Sequence, residues 1–563
     1  MTGFTGTLAF GTNTITLNST GTIFTGATTY SVTGTPVIIC NNSSATARTV
    51  TPGAVTEANS ITFKVTAGTG SFTISGTNNA TRDNDFTGFT GSLTNVQRVI
   101  YGSLTLNSGM TLTGSGNQVT LGATSGSKTL TTGGLSFDFP LVMNMPGATL
   151  TLQDALTLAT TRSFGFTAGT LVLGANTLTA GIFSSNNSNV RSIAFGSSNI
   201  TLTGNSITIF DTRTATNFTY TGTPTVNCTY SGSTGTRAFL AYSTAGGTET
   251  NVFDINITAG SDILSMGSRV KNLNLTGFSG SMTTTLAAVY GNYTIPAGVT
   301  INASATATVF AATSGTQTIT TNNVTHDCPF TITAPGATVT LAGNLTLGST
   351  RALTLTSGTL NLAGKTATAG SFSSTGSTTR VLAFGTNGIL SSGGAFTASG
   401  SNLTTTGTGT INMTSASGKT FAGGGFSYVA TLNQAGAGAL TISGSNTLYD
   451  ITATTLPSTI TFTAGTTQTV TQFTASGTSG NLLTLNSTSA GSAFTLSDAS
   501  GTNNVSYCSI TDSTATGGAT WNSYTTNGNV NGGGNTGWVF TAPVAYSYSS
   551  DIKLRSMAQR GRF

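Results

Sequence analysis

The chain has 563 residues, of which 14 are acidic and 19 basic, so charged residues make up 6% where a typical soluble domain carries about 25%. Glycine supplies 73 residues, phenylalanine 30 and proline only 10, and roughly one residue in five is threonine. This excludes helical bundles and coiled coils, which need Glu, Lys and Arg, as well as collagen and Pro-rich linkers, and it is too apolar for a disordered tract.

What remains is an all-β chain of Thr, Val, Ile and Phe strands punctuated by Gly and Asn. The formal net charge is +5, and four basic residues (Lys553, Arg555, Arg560 and Arg562) fall in the last eleven positions. The body is therefore close to neutral and lacks the basic stripe a nucleic-acid binder uses against phosphates. No run of 18 apolar residues is present, so no helical membrane span is expected. The opening MTGFTGTLAF has neither a basic nor a long apolar segment and does not read as a secretory signal.

Taken in chain order, the predicted strands fall into long repeats. LAFGTNTITL (8–17) returns as IAFGSSNITL (193–202) and LAFGTNGIL (382–390). TGFTGSL (87–93) returns as TGFSGSM (276–282), and PGATLTL (146–152) as PGATVTL (335–341). From residue 87 to about 196 the offset is a constant 189 residues. Within each repeat, short runs such as TLTL and ATVTL alternate Thr with an aliphatic residue, which is the period of a half-buried strand. Gly-containing turn signals separate them. A gapless recurrence of this length favours a solenoid, in which every turn is constrained by its neighbours, over tandem sandwiches.

The expected fold is thus all-β: a long β-solenoid, a right-handed parallel β-helix by analogy with the commonest solenoids, built from ~189-residue repeats with an aromatic C-terminal cap. The expected organisation is repeat 1 over 1–192, repeat 2 over 193–381, a partial repeat 3 over 382–478, a capping module over 479–540 and a basic tail over 541–563.

Cys40 ends TGTPVIIC (33–40), Cys228 ends TGTPTVNC (221–228), and Met413 ends the matching TGTGTINM (406–413). A position that accepts Cys or Met is an inward packing site, so Cys40, Cys228 and Met413 are read as one buried ladder. Cys328 stands in HDCPF (326–330) against SFDFP (136–140) and does not repeat; with Cys508 it completes a set of free thiols. The single histidine, His326, and the lack of a CxxC pair argue against a metal site.

Acids are few. Asp83 and Asp85 are replaced one repeat on by Asn272 and Asn274, and Glu57 corresponds to Glu249. A glycosidase needs two carboxylates within about 5–10 Å, and turn capping explains isolated acids better. No catalytic, cofactor or metal site is expected. Two repeat-related arginine pairs, Arg162 with Arg351 and Arg191 with Arg380, are expected to cap turn edges or loop carbonyls. Rows of outward Thr also suit a solvated strand face better than ice binding.

The composition changes near residue 479. Both tryptophans, Trp521 and Trp538, lie beyond it, and large aromatics suit the atypical last unit that covers a solenoid's open end. The residues Gly517, Gly518, Ala519, Thr520, Trp521, Asn529, Gly533, Gly534, Asn535, Thr536, Gly537 and Trp538 resemble a terminal module of β-helical fibres and appendages of tailed bacteriophages, also seen in some bacterial surface proteins. The acid that usually precedes the double glycine is absent here.

The resemblance implies an extracellular, virion-borne structural appendage and supplies no catalytic residues. The expected function is display and attachment to a host-surface glycan, as a homo-oligomer, a trimer by preference. Other virion proteins would be contacted through the tail, since the N-terminus enters the repeat at once. A bacterial adhesin or matrix filament is the alternative, and a glycan-degrading tailspike the second.

Overall fold

A computed structural model describes residues 5–27, 30–95, 98–113, 116–214, 216–241, 247–267, 269–284 and 286–543. The fold is an all-β solenoid of stacked parallel strands. Only two short 3-10 turns interrupt the described strands, Glu57–Asn59 and Thr525–Asn527. By its contacts the chain divides into two compact units, Met1–Gly370 with Thr378–Ala383, and Ser371–Ser377 with Phe384–Phe563.

In the first unit, Thr14–Leu17 pairs in parallel with Val37–Cys40, and that strand pairs with Thr62–Val65. Leu17, Cys40 and Val65 are therefore register partners at intervals of 23 and 25 residues, one turn of backbone each. Alternation sends Ile38 and Cys40 inward and leaves Val37 and Ile39 half-buried. One repeat later, Leu202, Cys228 and Ile257 form the same column.

The second unit is built likewise. Lys419–Ala422, Leu440–Ser443, Ser458–Phe462, Leu483–Ser487 and Cys508–Ile510 stack in succession. Met413 ends an inward-facing segment and is buried, as Cys40 and Cys228 are in the first unit.

Because register partners superimpose, aromatic side chains stack into columns. Phe164, Phe183 and Phe210 are partners with ring centroids 6.0 and 5.5 Å apart. In the second unit Phe396 stacks between Phe372 at 4.9 Å and Phe421 at 4.7 Å. Turns superimpose as well. Gly34 has a φ of 86° and sits on Gly11, where a Cβ would overlap the Gly11 carbonyl oxygen. Only glycine lets one backbone lie this close on another.

One outward loop in each repeat runs along several turns instead of closing one. In the first, Val55 O accepts from the Tyr101 hydroxyl at 3.5 Å, Asn59 Oδ1 accepts from Val32 N at 3.1 Å, and Glu57 Oε2 accepts from Thr124 N at 3.1 Å. In the second, Gly247 O accepts from the Tyr290 hydroxyl at 3.1 Å and Glu249 Oε2 accepts from Thr313 N at 3.1 Å.

The column packing sets a measurable cost. Phe396→Ala should destabilise the second unit by about 3–5 kcal/mol, because the flanking rings cannot close the gap. Phe396→Leu should cost less than the Ala variant. Denaturant unfolding followed by far-UV circular dichroism checks the order of the two.

Candidate functional site

The acidic residues weighed as candidate catalytic groups fold as hydrogen-bond acceptors for backbone, amide and hydroxyl groups. Asp83 accepts from Ser103 N at 2.7 Å and from the Thr62 hydroxyl at 3.0 Å. One repeat on, Asn272 Oδ1 accepts from Asn292 N at 2.6 Å, so an amide does the same task. Asp85 and Asn274 form equivalent turns with Thr87 N and Thr276 N, both at 3.0 Å. Asp254 accepts from Asn272 N at 3.2 Å.

The four cysteines are free and buried. Burial pushes the Cys40 thiol up to about 11 and the Cys508 thiol up to about 12, so both stay protonated at neutral pH. His326 lies in the short strand Thr325–His326, facing inward against Tyr293 and Phe330. Its Nδ1 donates to Val324 O at 3.0 Å, while Nε2 has no protein partner. Burial pushes its pKa down to about 4. Among the described residues no group of three or more His, Cys, Asp or Glu is placed to hold a metal ion, and no helix is long and apolar enough to cross a membrane.

The repeat-related arginines separate into two kinds. Arg162 donates Nε to Asp138 at 2.8 Å, and Arg351 donates Nε to Asp327 at 2.6 Å, both partly exposed. Arg191 and Arg380 are fully buried. Arg191 donates to the Asn189 carbonyl at 2.7 Å, the Thr214 carbonyl at 2.8 Å, Asn187 Oδ1 at 2.9 Å and the Ser185 hydroxyl at 2.9 Å, and lies over the Phe218 ring. Arg380 donates Nε to the Thr378 carbonyl at 3.2 Å. Asn189 and Thr378 are equivalent positions, so each guanidinium holds the same corner from inside.

That corner forms the wall of a surface groove. The strand Leu141–Leu152 is inward at Met145 and again at Ala148, so its alternation slips at Pro146–Gly147 and the backbone turns a corner. The partner strand bends at Gly169, where a Cβ would overlap the Met145 carbonyl oxygen. With the segment Ser188–Ser192 on the next turn, these corners enclose about 630 Å³. The same groove recurs 189 residues later at Pro335–Thr338, Ser357–Thr359 and Thr378–Val381, with about 540 Å³.

Their linings are Gly, Pro, Ala, Val, Ser, Thr and Asn; no ionisable or aromatic side chain borders either. The first presents amides from Asn144, Asn189 and Asn217; the second presents hydroxyls from Thr338, Thr359 and Thr379. Sequence reasoning found PGATLTL and PGATVTL as repeats and missed the groove. The available signal was the one-residue slip in alternation at each Pro-Gly.

In the C-terminal stretch, Trp521 and Trp538 are register partners with rings 5.2 Å apart. Trp521 donates Nε1 to the Thr516 carbonyl at 3.1 Å, and Trp538 donates Nε1 to the Ser513 hydroxyl at 3.0 Å. Lys553, Arg555, Arg560 and Arg562 lie outside the described residues. No family model matches the chain, and neither a curated protein nor a solved structure matches it.

Two expectations follow. Asp83→Asn should leave stability within about 0.5 kcal/mol of the parent while Asp83→Ala loses about 1–2 kcal/mol, because the backbone N–H needs an acceptor and not a charge; paired thermal melts read the difference. For His326, the folded ring stays neutral to about pH 4 whereas the unfolded ring protonates near 6.5. Its contribution is fully present above pH 6.5. It is lost as pH falls towards 4, at up to ~1.4 kcal/mol per unit and about 3 kcal/mol in total. His326→Phe should flatten that part of the stability–pH curve.

Proposed function

We propose that this chain is the structural body of an extracellular fibre, a virion appendage that contacts neutral glycans of a host surface. The observation that carries the reading is the recurrence, one repeat apart, of a groove lined only by hydroxyls, amides, backbone and small apolar groups. Such a lining offers hydrogen bonds to a polyhydroxylated ligand and no charge to attract an anionic one. Without an aromatic platform each groove binds weakly, so attachment depends on several grooves acting together, where effective concentration replaces affinity.

The acids support a non-catalytic role. Asp83 and Asp85 are occupied by turn hydrogen bonds, and amides stand in for them one repeat later. The reading includes a homo-oligomer, a trimer by preference, attached to other virion proteins through the basic tail at Lys553, Arg555, Arg560 and Arg562.

Ser192 and Val381 are equivalent outward positions bordering the two grooves. In Ser192→Tyr/Val381→Tyr the new rings should fill both grooves, lower retention on a neutral-glycan array at least tenfold and leave the melting temperature within about 2 °C. Binding that survives the double variant, or that appears only on anionic glycans, overturns the reading.

A further inference from the structure

The two repeats treat one buried arginine differently. Arg237 is fully buried and its charge is matched: Nε donates to Asp262 Oδ2 and Nη2 to Asp262 Oδ1, each at 2.7 Å. Nη2 also donates to the Ala259 carbonyl at 3.3 Å, and Nη1 to Cys228 Sγ at 2.7 Å. The guanidinium lies over Phe278 with 5.8 Å to the ring centre.

Arg48 is its counterpart. It too is fully buried, donates Nη2 to the Ala67 carbonyl at 2.8 Å and lies over Phe89 at 5.5 Å. Ala67 matches Ala259, and Phe89 matches Phe278. The glycine against which each guanidinium packs is also shared, Gly68 with φ 113° and Gly260 with φ 106°.

The carboxylate is not shared. Gly70 O accepts from Ser92 N and Asp262 O accepts from Ser281 N, so Gly70 stands where Asp262 stands. Arg48 Nε and Nη1 have no hydrogen-bond partner. Nor can the chain supply the acid at that place without moving, since a Cβ on Gly70 would overlap the Ala45 carbonyl oxygen. The neighbouring Cys40 thiol does not serve as counter-ion, because burial outweighs the pull of the Arg48 charge on it.

A guanidinium with two free donors and no counter-charge in an apolar interior is strongly disfavoured, whereas a paired one is tolerated. Neutralising it by deprotonation is closed to arginine. We infer that Arg48 holds a small monovalent anion taken from solution, a halide or a formate-sized carboxylate, on the guanidinium edge that its free Nε–H faces, the edge by which Arg237 holds Asp262. There it does what the Asp262 carboxylate does for Arg237. The inference is independent of the surface grooves.

The test uses the full chain and bromide. Crystals grown or soaked in sodium bromide should show one anomalous peak within about 3.5 Å of Arg48 Nε and none beside Arg237. In solution the melting temperature should rise with the logarithm of chloride concentration, relative to sodium gluconate at equal ionic strength. That chloride-specific rise should vanish in Arg48→Met and become steeper in Asp262→Ala, which creates a second unmatched guanidinium. A water in place of bromide at Arg48, or a chloride response that persists in Arg48→Met, overturns the inference. Should Arg48→Met fail to fold, the diffraction measurement on the parent chain decides alone.

Discussion

Each turn of backbone in a unit lies in register on the turn before it, and most other features follow from that constraint. Parallel pairing at about 4.8 Å sets side chain against side chain at van der Waals distance. Apolar side chains gain from this arrangement: Phe183 between Phe164 and Phe210, or Phe396 between Phe372 and Phe421. Like charges placed so would repel at every step. A surface of Thr, Ser and Asn avoids that cost and bonds laterally, as the Thr333 and Thr356 hydroxyls do at 2.7 Å. The scarcity of ionised groups therefore suits the stacking itself.

The same constraint makes the corners expensive. Turn carbonyls that point inward have no strand partner, and a buried polar group without one is costly. The chain answers with cations brought in from the core side. Arg191 and Arg380 bond to corner carbonyls in the first unit. In the second, Lys419 Nζ donates to the Ser415 carbonyl at 3.0 Å, to the Gly436 carbonyl at 3.1 Å and to the Gly438 carbonyl. Arg191, Arg380 and Lys419 thus work inside, and the two arginines brace the loops that wall the grooves.

The strands and their stacking were legible because period-2 alternation and gapless recurrence both report on packing. Cys40, Cys228 and Met413 are each buried, where an exchange of Cys for Met alters packing rather than charge. The roles of Asp83 and Asn272 could be read from their exchange. Arg162 and Arg191 looked alike in sequence, each recurring after 189 residues, yet one ends on an exposed carboxylate and the other on buried carbonyls. That difference depends on which way a side chain points at a corner, where alternation slips and the period no longer gives direction. The grooves were hidden for the same reason, because they are made by the slips themselves. Arg48 and Arg237 were hidden because the contact that separates them involves Asp262 and Gly70, across a short insertion that shifts the offset.

The outward loop that carries Glu57 runs alongside the stack, bonded to Val32, Tyr101 and Thr124 on different turns. In a solenoid held only by nearest neighbours, one turn could peel from the end without disturbing the next, and unfolding would proceed in single steps. A strap fastened at several levels changes the size of the step. Turns between Val32 and Thr124 must let go together, and Glu249 with Thr313 imposes the same on the next repeat. Pulled along its axis, this part of the chain would yield in a few large events and hold its length between them.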